Sequence, residues 1–516
     1  MSKLKTVSAL LLVLLVCLTT AVGCNRTGDG EVTLSPYFTE SETSAPPPAP
    51  TLGDYIDALI PSSEGKKYEL ADVRRLNKSE GRTMRVLCWD SPVMEFENTS
   101  TDDEYTSADR RLDLLAADLG VTLVLDHRAG GKLDVKSFVD YAATVDGAGK
   151  STYDVIAAYS KAAALLAQKG LLSSLSTGRV KVDTNREWYP DGIGESLSFG
   201  NDLYFVTGDI SPTALYSAEL FFFDVREMSA RGIDPSDLYE SAFSGKWTLD
   251  AMFELLAQAD LPVREETGET GTYPVEDPVT YRLTVSRTGL ASLYFSAGLS
   301  IVDNIHDYEQ GRNKLVLSPE YTGGVSSTLH ARLISAINNG EMRVPSVTGQ
   351  NFFGDNADSV AWIGALSAAA SFDRELGILP LPKLNDRADY VGVTSDAVTF
   401  WGVPASLDED SRDLAVIFIE QAGYFSGQAM VDDTCFSLLR SFSRTYTVEN
   451  SQIFDIHRRN LSFDIGVVAA GTEKLTLSAV DGWASLIIGK NSWETYSGTI
   501  AVSLAEQIES LNNRNQ

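Results

Sequence analysis

The sequence predicts an α/β protein of two lobes with extra segments, and three observations carry that expectation. At 516 residues the chain exceeds one ordinary domain; length alone corresponds to about three domain equivalents, or two lobes plus extras. Residues 82–170 alternate short apolar strand-like runs with helical ones, the pattern of βαβ units and a parallel sheet. Residues 200–224 (GNDLYFVTGDISPTALYSAELFFFD) place strand-like runs at 203–206 and 218–223 on either side of a breaker cluster from Gly208 to Pro212. Glycine frees the backbone, while proline fixes φ and cannot donate, so such a cluster bends the chain or carries it from one lobe to another. It is read here as a hinge with a ligand cleft beside it.

Composition narrows the function classes. Hydrophobic residues at 43% and aromatics at 9% support packed cores. Lys and Arg number 42 against 71 Asp and Glu, a formal charge of −29 that repels polyanions and excludes a nucleic-acid partner. The plain reading of that charge is a solvated acidic surface. At the N-terminus, Lys3 and Lys5 precede an almost wholly apolar run at 9–19, and Ala21, Val22 and Gly23 lead into Cys24. This is a secretory signal at 1–23, too short for a membrane span. A Cys directly after small residues resembles a bacterial lipobox, which makes Cys24 the lipidation site; a plain secreted protein is the alternative. In the body, Cys88 and Cys435 are either two buried thiols or one bridge.

In chain order, residues 24–80 form a tether. Its first half is polar and ends in the Pro-rich run 45–50, which is extended and buries little. Met84, Val86 and Cys88 then alternate with Arg85, Leu87 and Trp89, a strand. Asp109 is placed to cap a helix from Arg110 that Gly120 stops; strand 121–125, helix 134–145, strand 153–159 and helix 161–169 follow. Ligands of open α/β sheets sit beyond the carboxyl ends of the strands, which puts Trp89, Asp90, Tyr159 and Ser160 on one rim. After the crossover, Thr248 is a candidate N-cap of a helix carrying Met252, Phe253 and Leu256, and 262–280 reads as a surface loop. Helices are expected at 328–339, around 357–372, at 411–425 and at 503–512, with strands at 377–383 and within 391–402.

Catalytic patterns are missing from the sequence. TVDGAGKST at 144–152 lacks the first glycine of a phosphate loop and sits between helix and strand, the reverse of what that loop needs. The four histidines are scattered, no GxSxG elbow occurs, and no Cys/His pairing points to a nucleophile. No catalytic residue, metal or cofactor is therefore assigned, and the protein is not expected to be an enzyme. The candidate cleft groups instead combine aromatic faces with hydroxyls and carboxylates, as a sugar would require: Trp89 with Asp90, Tyr159 with Ser160, Asp209 with Ser211, and Trp362. Each has a packing alternative, and Asp209 serves equally well to satisfy hinge N–H groups. Trp247, Trp401 and the 221–223 phenylalanines are assigned to packing.

The order of YDVIAAYS, Gly170-Leu171-Leu172, LYFVTGDIS, ELFFFD, GKWTLD, GILPLPK, WGVPAS and FDIG resembles the family 1 extracellular solute-binding lipoproteins of ABC transporters, over residue 82 to the C-terminus. Asp224 stands where many relatives carry Asn-Lys. ETGETGTYPVED replaces an Asp-rich loop, so calcium binding is not carried over. The resemblance implies a periplasmic-binding-protein-like clamshell with several hinge crossovers. Lobe 1 would be 81–210 plus 393–450, and lobe 2 would be 211–392 plus 451–516. The chain would return through YVGVTSD, adding Tyr390 and Asp396 to the ligand candidates, and a third crossing would lie near 445–460. It further implies a monomer, lipid-anchored at the outer face of the membrane, that captures a mono- or oligosaccharide and delivers it to ABC permease subunits. A peptide, polyamine or other small solute is the alternative ligand, and a surface glycosidase the alternative class.

Overall fold

β1 (Arg82–Trp89) is exposed on alternate residues only in its first half; from Val86 onward both faces are buried, as in a strand with neighbours on each side and helices on each face. The chain continues through α1 (Ser107–Leu119), β2 (Val121–Arg128), α2 (Val135–Asp146), β3 (Val155–Tyr159) and α3 (Ser160–Gln168). This is the expected βαβ succession, except that α1 begins at Ser107, which puts Asp109 inside the helix and not at its cap. The computed structural model describes residues 82–91, 107–146, 151–259, 281–346, 352–369, 372, 374–440, 447–469 and 475–514. The signal, Cys24, the tether and the whole 262–280 loop lie outside these residues, as does the side chain of Cys435.

Next come β4 (Phe205–Val206), α4 (Pro212–Tyr216), β5 (Ala218–Asp224), α5 (Leu249–Ala257), β6 (Tyr281–Val285) and α6 (Arg287–Ser296). Thr248 caps α5 as its sequence position predicts, accepting from Ala251 N at 3.1 Å. The hairpin β7 (Val302–Asp307) and β8 (Arg312–Leu317) precedes α7 (Gly324–Asn338), β9 (Ser359–Ala365), β10 (Leu376–Leu379), β11 (Val393–Thr394) and β12 (Thr399–Gly402). The C-terminal part is helical: α8 (Glu409–Arg440), α9 (Val448–Arg459), α10 (Ile465–Ala469), α11 (Leu475–Ile488) and α12 (Trp493–Arg514).

The first sheet runs β2-β1-β3-β12-β4, and the second β10-β5-β9-β6 with β11 also on β5. β1 is parallel to β2 and β3, as βαβ units require, but β12 is antiparallel to both β3 and β4. The first sheet is therefore mixed. Its antiparallel part comes from a segment about two hundred residues distant, which local periodicity cannot reveal. The expected helix around 357–372 is also corrected: SVAWIGA forms β9, and among the described residues of that range only Leu366–Ala369 is helical. A short apolar run buried on both faces looks alike as helix or strand, and pairing with β5 and β6 decides it. The core of the second sheet is aromatic, with Phe221 edge-on to Trp247 and Phe222 edge-on to Phe353, both at 5.0 Å.

Between β4 and β5 the chain passes from the first sheet to the second. Gly208 takes φ 152°, and a Cβ there would lie 2.4 Å from Trp188 O. The next residue donates its N–H to that same carbonyl at 2.9 Å. Pro212 occupies the first turn of α4, where its missing N–H is not needed. The Asp209 carboxylate, 4% exposed, pairs with Arg458 at the end of α9. Burial pushes Asp209 up to about 7 although the guanidinium opposes it.

Arg458→Ala would leave Asp209 buried without its cation, so a loss of about 3–5 kcal/mol is expected by urea denaturation at pH 8. The folded-state pKa of Asp209 lies above its unfolded value, so protonation favours the folded form. Removing Arg458 raises that carboxyl further, so the loss should grow as pH rises past 7 and be smaller at pH 5. An equal loss at both values would contradict this account.

Candidate functional site

Two stretches that cross between the sheets run side by side. Ser395 N donates to Ser217 O and Ser217 Oγ to Ala397 O, each at 2.8 Å. Thr399 N donates to Thr213 Oγ1 at 2.9 Å, and Ser211 Oγ to Thr399 O at 3.0 Å. Ser211 also accepts from Trp401 Nε1 at 2.7 Å, while Trp89 Nε1 donates to Thr399 Oγ1 at 2.8 Å. A third stretch joins after α9, with Gly392 N donating to Asn460 O at 2.8 Å and Ser462 N to Gly392 O at 3.0 Å.

Beside these crossings lies a cavity of about 210 Å³, walled by Ser160 and Lys161 of α3, Glu219 of β5, Thr288 and Phe295 of α6, Asp396 and Phe463. A second, of about 430 Å³, adjoins it through the shared residues Phe295, Ser462, Phe463 and Asp464 and extends to β7. Together they match the size of small-molecule sites, about 300–1,000 Å³. At the far side the β7–β8 hairpin grips the turn before β4: Asn304 Nδ2 donates to Gly200 O and Asn313 N to Asn201 Oδ1, both at 2.9 Å.

The carboxylates of this cleft differ in their partners. Asp396 pairs with the Lys161 ammonium at 2.9 Å, and Ser160 Oγ donates to its backbone oxygen at 2.6 Å. Burial pushes the Asp396 carboxyl up, but Lys161, the adjacent Tyr159 hydroxyl and Lys132 hold it below the usual range. Asp464 Oδ1 accepts from Gly466 N at 2.8 Å and Val467 N at 3.3 Å, capping α10; Oδ2 accepts from the N–H groups of Ile301 and Val302 at the start of β7. Burial still pushes it up to about 6. Glu219, wholly buried, is pushed up to about 7 by desolvation.

Of the residues expected from the sequence, Ser160 and Asp396 line the cleft, and Tyr159 lies directly behind Asp396. Trp89 packs on Tyr159 with ring centroids 5.3 Å apart, and its indole N–H is held by Thr399; among the described residues it supports the crossing and does not wall the cleft. Asp90 is exposed beyond β1, its N–H on Arg128 O at 2.8 Å. Asp209 and Ser211 are engaged within the hinge. Trp362 is fully buried in the second sheet's core, against Phe372 at 5.3 Å, with Nε1 on Asn356 O at 3.0 Å. Tyr390 donates to Ala242 O at 3.0 Å and carries Lys383 over its ring. Neither of these last two lines the cleft.

The cleft's aromatic faces are Phe295 and Phe463, which the sequence reading did not single out. Phe463 and Asp464 belong to the FDIG stretch, so a signal was present for them. Glu219 is the lone acid inside AELFFFD, an apolar strand, and that contrast was equally visible. Among the described residues, no group of three or more His, Cys, Asp or Glu side chains is placed to hold a metal, and no helix is long and apolar enough to cross a membrane.

Two sheets, several crossings and a cleft beside them define a two-lobed α/β clamshell. No family profile matches the chain, and no curated protein matches it. Solved structures do. A sugar transporter from Rhizobium etli in an open conformation aligns with TM-score 0.52 and 11% identity, over 82% of this chain and 98% of that one. The galacto-N-biose-/lacto-N-biose I-binding protein of an ABC transporter from Bifidobacterium longum aligns with TM-score 0.51 and 10% identity, over 84% and 98%. A family 1 extracellular solute-binding protein from Bifidobacterium longum subsp. infantis aligns with TM-score 0.50 and 12% identity, over 83% and 100%. The chain has the fold of these proteins.

Because Asp464 ties α10 to β7, Asp464→Ala should lower stability by roughly 1–3 kcal/mol through unsatisfied N–H groups. The expected readout is a lower urea midpoint at unchanged m. Asp464→Asn, which keeps an acceptor, should recover part of the loss.

Proposed function

We propose that the protein is the substrate-binding lipoprotein of an ABC importer, capturing a carbohydrate between its lobes and handing it to a membrane permease. The observation that carries this is the cleft itself, walled by both sheets' elements and their crossings, with two phenyl faces among hydroxyls and carboxylates. The apolar face of a sugar ring packs against Phe295 and Phe463, and its hydroxyls find polar partners around them. Ligand that touches both lobes favours the closed state by its differential affinity for it, and the closed form is what a permease recognises. In this proposal the lobes follow the division at 210, 392 and 450, and the protein is a monomer with no enzymatic activity. The solved proteins that share its fold are named as binding and transport proteins, which supports that last point. An acylated Cys24 would hold it at the outer face of the membrane, each buried CH₂ contributing about 0.8 kcal/mol.

A thermal-shift screen of the purified protein against mono- and oligosaccharides tests the reading. A true ligand at 100 times Kd stabilises by about 2.7 kcal/mol and raises Tm visibly. Phe463→Ala and Phe295→Ala should each weaken that ligand about tenfold, ~1.4 kcal/mol, without loss of folding. A shift with peptides or polyamines and with no sugar would overturn the carbohydrate assignment, and release of a sugar product would overturn the binding-protein assignment.

A further inference from the structure

Glu219 differs from the other two carboxyl groups of the cleft. Asp396 has Lys161, and Asp464 has four backbone N–H groups. Glu219 lines the same cavity with no exposure, yet among the described residues only the Thr288 hydroxyl, which also meets Ser286 Oγ at 3.0 Å, lies near enough to favour its charged form. The backbone of Glu219 is fixed on both sides, opposite Val393 of β11 and Ala365 of β9. A rigidly placed, buried carboxyl with one hydroxyl beside it and no cation costs stability, and an apolar residue of similar volume would fit the strand better. Such a group is explained when its partner arrives with the ligand.

The surroundings specify the partner's chemistry. Lys161 of α3, Lys132 of the β2–α2 loop and Arg287 at the start of α6 face the cavity, and α6 lies along it as far as Phe295. A cationic ligand would meet these charges. An anionic ligand would meet Glu219, Asp396 and Asp464. A neutral polyol meets neither penalty, and its O–H groups donate to a carboxylate. We propose that Glu219 is the specificity-determining residue of the cleft, its carboxylate accepting hydrogen bonds from two adjacent hydroxyls of a neutral sugar ring. This rests on the carbohydrate reading above.

A consequence is proton linkage. Burial pushes the free carboxyl up to about 7, whereas hydroxyl donors favour its charged form. Sugar capture therefore releases the proton. Below pH 7 the sugar must displace that proton, and affinity falls; above it the carboxylate is ready and affinity levels off.

Calorimetry on the full chain with glucose, galactose, xylose, maltose, lactose and cellobiose tests this. For whichever of these binds, affinity should fall about tenfold from pH 8 to pH 6, and titration in buffers of different ionisation enthalpy should count about half a proton released at pH 7. Glu219→Gln, matched in size, should bind at least about tenfold more weakly at pH 8, with a flat pH profile and no proton release. Its melting curve checks folding, and the wild-type proton count stands without it. A sugar that binds wild type and Glu219→Gln alike, or binds wild type without pH dependence, overturns the role of Glu219 and leaves the carbohydrate reading intact. If none of these sugars binds wild type, the role of Glu219 as a reader of neutral sugars is overturned along with that reading.

Discussion

The joint between the two sheets hangs on Thr399. Its amide is held by Thr213, its carbonyl by Ser211 and its hydroxyl by Trp89, so one residue at the start of β12 is fixed from three directions. Side-chain hydroxyls, with the backbone bond from Ser395 to Ser217, hold the crossings antiparallel between the β11–β5 pairing and β12. Hydroxyls suit this place because they donate and accept at once and tolerate small changes of angle. The rim position of Ser160 and Asp396 follows from this joint, since Ser160 begins α3 immediately after β3 and Asp396 lies three residues before Thr399.

Within the cleft, charge is arranged by environment more than by residue type. The same carboxyl chemistry is held ionised beside Lys161, raised moderately in a shell of backbone N–H groups, and raised further where β5 gives it nothing. A chain of formal charge −29 therefore lines this cavity with three cations set among three acids. The excess of acidic residues lies elsewhere in the chain and says little about the cavity.

The local elements were legible because they obey periodicity and punctuation: β1 through α3, the Thr248 cap, and the Gly208–Pro212 breaker between β4 and β5. What escaped depends on distant pairing. β9 reads as a helix until β5 and β6 flank it, and β12 joins the first sheet from far downstream. Ser160 and Asp396 stand at the cavity, where the strand-end rule and the family resemblance put them. Trp89 and Trp362 sit in packing contacts, the alternative that an indole in a sequence always leaves open. Phe295 and Phe463 do not stand out locally and come together only where α6 meets the last crossing.

The β7–β8 hairpin forms a two-stranded sheet of its own, and the bonds by which it holds the turn at Gly200 and Asn201 come from amides. Amides do not titrate. Those two bonds are therefore indifferent to acidity, whereas the Asp464 carboxyl that holds the start of β7 is not. The hairpin is consequently fastened at one end by a contact that acidity can loosen and at the other by contacts that it cannot.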